Sequence, residues 1–185
     1  HFGYRRQRQM CIRDRLMSTS ITSFRLTEQL LQHVQNACLE AEYRSFKLVF
    51  VVIPEDFRRE IEAEILNNSI GFVNLSKELA RKLVSLSIRE RVRRLEAEVD
   101  KIANDCGSSV WLTKLDVLFE PALDNDPMRL LKGIAKSKTV VAIWPGEITE
   151  TSVVYSKPGK PDYKTYPLKE LNDIQVIDAC NGVMK

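Results

Sequence analysis

The stretch that most constrains this chain runs from Lys47 to Asn68, KLVFVVIPEDFRREIEAEILNN. Leu48 to Ile53 is a short, unbroken apolar run rich in β-branched residues, the pattern of a strand buried on both faces of a parallel sheet. It should be a central strand. Pro54 ends it, and Phe57, Ile61, Ile65 and Leu66 then recur at helical spacing, so a helix is expected with Arg58, Arg59, Glu62 and Glu64 facing water. In an α/β protein such a junction is where phosphate is held, by glycines that let backbone N–H groups converge and by a Lys with Ser or Thr at the helix start. None is present here. Glu55 and Asp56 instead fill the expected first turn, where they suit the helix dipole but repel a triphosphate.

The remaining chain supplies the other layers. Phe24 to about Tyr43 places Leu30, Leu31, Val34, Cys38 and Ala41 at helical spacing, with His33 expected at the surface. Ile70 to Leu75 reads as a second short strand, and Ser76 is the expected cap of a helix carrying Leu79, Leu83 and Leu86. Ser87 with Glu90 matches a capping box, opening a long helix with the stripe Ile88, Val92, Leu95, Val99 and Ile102. Ser109 to Phe119 is the third expected strand, Pro127 opens a short helix, and Thr139 to Trp144 is a fourth buried strand stopped by Pro145-Gly146. Thr151 to Tyr155 reads as a fifth strand, KPGKPDYKTYPL as a loop of tight turns, and Ile174 to Ile177 as an edge strand. Alternating strands and helices predict an α/β fold of three layers, a mainly parallel sheet with helices on both faces. Ligand sites in such sheets lie beyond the carboxyl ends of the strands, here Pro54 to Asp56, Asn74, Lys114 to Asp116 and Trp144 to Glu147.

Charge has to be read with the leader set aside. Residues 1–16, HFGYRRQRQMCIRDRL, carry five Arg and one Asp, and Met10 to Arg15 looks like a translated sequencing adapter. We expect residues 1–16 to be a non-native, disordered leader, 17–45 an N-terminal helix and 46–185 the domain proper. The net charge of +3 (28 basic, 25 acidic residues) becomes −1 without the leader (23 basic, 24 acidic), so net charge carries no case for nucleic acid. Four isolated cysteines give no zinc spacing and no disulfide framework, and no run is long enough to span a membrane. The expectation is a cytoplasmic protein without a metal site.

Three groups of residues have functional as well as plain readings. Arg91, Arg93 and Arg94, with Arg89, cluster in the first half of the long helix, opposed by Glu96, Glu98 and Asp100; a solvated face is the plainer reading, a DNA or partner surface the sharper one. Lys160, Tyr163 and Lys164, with Tyr155, Tyr166 and Lys157, offer either a nucleic-acid stacking loop or a surface hairpin with packed tyrosines. Trp144, Gly146 and Glu147 form the end of a strand where a partner or sensor contact could sit, although strand tryptophans usually pack inside.

The second half of the chain carries a more specific signal. LFEP with the downstream DPMRLL, the strand ending in WPGE, and YSKPGKPDYKTY occur in order. This chain resembles BrxF, the small P-loop protein of type three bacteriophage-exclusion (BREX) systems, from the first strand to the end. The resemblance implies a RecA- or AAA-like P-loop NTPase core, ATP and magnesium as the family's cofactors, and partners comprising a large ATPase, a DNA methyltransferase, a phosphatase-like protein and a helicase. Two family features are missing. The G-x-x-x-x-G-K-[ST] loop is replaced by Pro54, Glu55, Asp56 and Phe57. The Asp that ordinarily ends the third strand for magnesium aligns with Thr113, the second acidic position falling on Asp116.

Phosphoryl transfer depends on positioning and neutralising the phosphates, so losing the loop and the magnesium carboxylate together removes most of the machinery. The expected function is a non-hydrolysing accessory or structural subunit of a phage-defence assembly, with no catalytic residue and no bound cofactor. Two alternatives stay open: an ATPase with an unconventional or partner-completed site, in which Arg58, Arg59 or Lys114 supplies the charge, and a DNA-binding accessory module.

Overall fold

The computed structural model describes residues 28–53, 72–179 and 182–184, together with Arg58, Arg59, Ile61 and Ala63. In chain order these form α1 (28–41), β1 (Leu48–Val52), helical residues Arg58, Arg59, Ile61 and Ala63, β2 (Phe72–Asn74), α2 (Leu75–Leu83), α3 (Ile88–Asn104) and β3 (Ser109–Thr113). Two 3-10 turns follow, Leu115–Phe119 and Pro121–Leu123, then α4 (Pro127–Ile134) and β4 (Thr139–Trp144). The remainder is β5 (Glu147–Ile148), β6 (Ser152–Tyr155), β7 (Lys164–Pro167), β8 (Gln175–Asp178) and β9 (Gly182–Met184). Residues 1–27 lie outside the described set, and with them the expected leader and the stretch from Phe24 where the N-terminal helix is expected to begin.

The main sheet has the order β2-β3-β4-β1-β8-β9, parallel throughout except for the antiparallel last pair. β1 is central, as its all-apolar composition requires, and all five of its residues are buried. The chain leaves β1 for the far edge at β2 and returns through β3 and β4. Right-handed crossovers taken in opposite directions place their helices on opposite faces. Accordingly α1 and Ile61 cover Val49, Val51, Ile53, Val141, Ile143 and Ile177. The second face, with Leu48, Phe50, Leu112, Val140 and Ala142, is covered by Leu79 and Leu83 of α2, Leu95 and Val99 of α3, and Leu131 of α4. This is the expected three-layer α/β arrangement.

Several local expectations change. Asn74, not Ser76, caps α2: its side chain accepts from Lys77 N at 2.9 Å, while the Ser76 hydroxyl donates to the Lys114 carbonyl at 2.6 Å. The third strand stops at Thr113, because Lys114 adopts a left-handed conformation (φ 53°) and turns Leu115, Leu118 and Phe119 into the core as a 3-10 turn. The fifth expected strand is real but belongs to a separate antiparallel sheet, β5-β6-β7. Part of KPGKPDYKTYPL is therefore strand, not loop, with Lys164 to Pro167 paired against β6. β8 lies between β1 and β9 with all four residues buried, so it is not an edge. The Ser87 and Glu90 box is present, Ser87 N and Oγ donating to Glu90 at 3.1 and 2.7 Å.

Candidate functional site at the carboxyl ends of β1 and β4

The carboxyl ends of β1 and β4 are joined by Arg58. This residue, expected in water, is half-buried. Its Nη1 donates to the Pro145 carbonyl at 3.2 Å, and its Nη2 donates to the carbonyls of Ile53 at 3.1 Å and Gly146 at 3.4 Å. Side chains on a helix lean toward its N-terminus, which is how a residue on the helix after β1 reaches back over the strand ends. The fork thus neutralises carbonyl oxygens just beyond two adjacent strands, where a phosphate-binding loop would present N–H groups. Its Nε is buried without a hydrogen-bond partner. Pro54, Glu55, Asp56 and Phe57 lie outside the described residues.

Next to this fork the chain is tightly closed. Ala179 N donates to the Val52 carbonyl at 2.9 Å, which seals the β8 side of β1. Asp178, the last residue of β8, is a buried carboxylate opposite Val52. Neither it nor the anchoring role of Arg58 is among the sequence-derived candidates. An acid that ends the apolar run IQVID at a strand's carboxyl end is a signal that could have exposed the first; nothing in the local sequence distinguishes Arg58 from Arg59.

The aligned metal positions behave differently from each other. Thr113 is buried at the end of β3, in register with Asn74 of β2. Asp116 is exposed on the 3-10 turn, with its carboxylate close enough to the Tyr155 phenol to act on it. Tyr155 stacks on Phe119 with ring centroids 3.7 Å apart, and burial first, then the carboxylates of Asp116 and Asp162, push its pKa up to about 12. Asp116 is therefore engaged with the β6 strand. Among the described residues no cluster of three or more His, Cys, Asp or Glu side chains is placed to hold a metal ion.

Trp144 is wholly buried between Phe50 and Phe119, and its indole N–H donates to the Val154 carbonyl at 2.9 Å. It presents no surface to a partner. Gly146 is dictated by closeness rather than by φ: a Cβ there would fall 1.8 Å from the Val154 oxygen. Together these two residues let the small sheet dock on the end of β4. Glu147 is exposed on β5, facing solvent at the edge of this small sheet.

The two basic candidates belong to separate elements. Arg91 donates to the carbonyls of Leu86 at 2.9 Å and Val84 at 2.8 Å, so it closes the end of α2, whereas Arg93 and Arg94 are exposed on α3. Lys160 and Tyr163 lie in the connection between the paired strands β6 and β7, and Lys164 begins β7. Tyr155 and Tyr166 pack inward, Tyr166 against the edge of Trp144 while its hydroxyl donates to Asp126 at 3.1 Å. The hairpin with packed tyrosines is what the chain forms, and only half-buried Tyr163 remains near the lysines.

Cys38 lines a separate hollow of about 490 Å³ at the opposite, amino-terminal edge of the sheet, with Trp111, Ser109 and Thr139. Burial, then Glu42, raises its pKa to about 11, so at neutral pH it is a protonated, unreactive thiol.

No protein-family model matches the chain, and no match is found among curated proteins or solved structures. Among the described residues no helix is long and apolar enough to cross a membrane.

Proposed function

We propose that this chain is a non-hydrolysing accessory or structural subunit of a bacterial phage-defence assembly of the BREX type, built on a P-loop-like core that has given up its phosphate loop. The observation that carries this reading is the position of Arg58: both Nη nitrogens of the guanidinium donate to backbone carbonyls, those of Ile53, Pro145 and Gly146. A triphosphate would have to displace it, and the sequence between Ile53 and Arg58 offers two acids, Glu55 and Asp56, in place of glycines and a Lys. The mainly parallel sheet, with β1 at its centre and helices on both faces, is compatible with the P-loop-like core of this reading. Thr113, lacking a carboxylate at the aligned magnesium position, agrees with it. Partners would be the large ATPase, the methyltransferase, the phosphatase-like protein or the helicase, and surfaces rather than a catalytic centre would carry the role.

Titration calorimetry with magnesium-ATP tests the nucleotide half: no micromolar binding and no phosphate release are expected, and micromolar binding would favour a partner-completed ATPase. Co-expression with each of the four defence proteins tests the other half. Retention of none of them would sink the assembly role.

A further inference from the structure

The outer face of α3 carries a charge pattern that a solvated helix avoids. Arg89, Arg93, Glu96 and Asp100 follow one another at spacings of four, three and four, so they share one face, and all four are exposed. The two basic residues are i,i+4 neighbours, as are the two acidic ones. Like charges at that spacing repel, whereas a helix stabilised on its own alternates them. The opposite flank does alternate: Glu98 is within 3.6 Å of Lys82 and 3.4 Å of Lys101. Among the described residues none of the four forms an ion pair within 4.0 Å, although Arg93 acts at longer range on Glu90 and has Glu96 at i,i+3. Partial burial, then the neighbouring Glu96, holds the Asp100 carboxyl above its ordinary value.

We infer that this face pairs with the same face of a second copy of the chain, the two α3 helices running antiparallel about a two-fold axis that crosses between residues 94 and 95. That axis sets Arg93 opposite Glu96 of the second copy and Arg89 opposite its Asp100, each pair occurring twice. A two-fold interface must be self-complementary, and a helix whose basic half precedes its acidic half meets that condition only when antiparallel. Val92, on the flank of this face, is 37% exposed. Leu95, Val99 and Ile102 face inward and keep α3 on its own sheet. The occupant is a second copy because the opposed charges match residue for residue, a match an unrelated acidic or basic partner would not need on both halves.

Sedimentation velocity on the full chain tests this. At ionic strength below roughly 0.05 M the wild type should self-associate, and added salt should weaken it. Arg89→Glu with Arg93→Glu, and separately Glu96→Arg with Asp100→Arg, should each lower the association constant about tenfold or more, since every reversal is felt twice across the axis. Mixing the two variants should restore pairing, because an acidic face then meets a basic one. The chain with all four reversals should self-associate like the wild type, which keeps the test decisive if one double variant folds poorly. A wild type that stays monomeric at low salt, or pairing indifferent to the reversals, would overturn the inference.

Discussion

Arg58 and Pro145 are tied by a hydrogen bond of 3.2 Å, from the guanidinium of the first to the carbonyl of the second. The helix after β1 is thereby fastened to the end of β4, its spatial neighbour, and the same fork holds Ile53 at the end of β1. Both Nη nitrogens of the guanidinium are thus directed at backbone carbonyls.

Arg58→Met should therefore weaken the fold. Hydrogen bonds from a charged donor contribute more than neutral ones, and removal leaves half-buried carbonyls without partners, so a loss of about 2 to 3 kcal/mol is expected. Urea unfolding should show a lower midpoint with an unchanged slope. Arg58→Lys should recover only part of it, because an ammonium cannot span three carbonyls as a planar fork does. Wild-type stability in the Met variant would mean that the fork contributes nothing.

At Gly146 the constraint is space. A methyl there would collide with the Val154 carbonyl that also accepts the Trp144 N–H, so Gly146→Ala must push the small sheet off β4. We expect a cost of roughly 2 to 3 kcal/mol, typical of overpacking, and a change in tryptophan emission as Trp144 loses its partner. Gly159 supplies the contrast: nothing lies near its would-be Cβ, but φ is +88°. Gly159→Ala should cost about 1 kcal/mol, from backbone strain alone, and leave the emission unchanged.

How far the sequence reveals this molecule differs by scale. The central strand, the alternation of elements, the capping box at Ser87 and the stop at Pro145-Gly146 follow from local composition, because burial on both faces and cap chemistry are set by neighbouring residues. Lys114 hid the end of β3: its left-handed turn interrupts an apolar run that reads as continuous strand, and the residues beyond it are apolar because they pack from a turn. The inner position of β8 was equally hidden, since only the pairing with β1 and β9 decides it. The site was least legible of all. Arg58 acts through carbonyls 87 and 88 residues away in the chain, and no spacing rule reports such a contact.

The stacked phenol of Tyr155 gives the fold an alkaline limit. Its pKa is raised from 10.0 to about 12, by burial first and then by Asp116 and Asp162. A group whose folded pKa is raised contributes stability that is fully present below the unfolded value and is lost as pH climbs through the folded one. Stability should thus fall between pH 10 and about 12. Tyr166, shifted the same way by burial and by Asp126, extends the loss to higher pH. In Tyr155→Phe thermal melts the decline across that interval should be shallower than in wild type. An equally steep decline would assign it to other groups.

Arg91 and Arg93, two residues apart on α3, should behave oppositely. Arg91 supplies the carbonyls of Val84 and Leu86 with charged donors where α2 has run out of its own N–H groups, so Arg91→Ala should cost roughly 1 to 3 kcal/mol. Arg93 is exposed and outside any such contact, and Arg93→Ala should stay within about 0.5 kcal/mol in the monomer. The difference decides how a nucleic-acid role is tested, because lost DNA retention in an Arg91 variant would report a damaged helix end. Arg93→Glu with Arg94→Glu, and Lys160→Glu with Lys164→Glu, alter surface charge without touching the hydrogen bonds that close α2, and the first pair is assayed at a salt concentration where the wild type is monomeric. Wild-type protein should show no salt-sensitive retention of duplex DNA; retention abolished by either pair would favour the DNA-binding module over the accessory subunit.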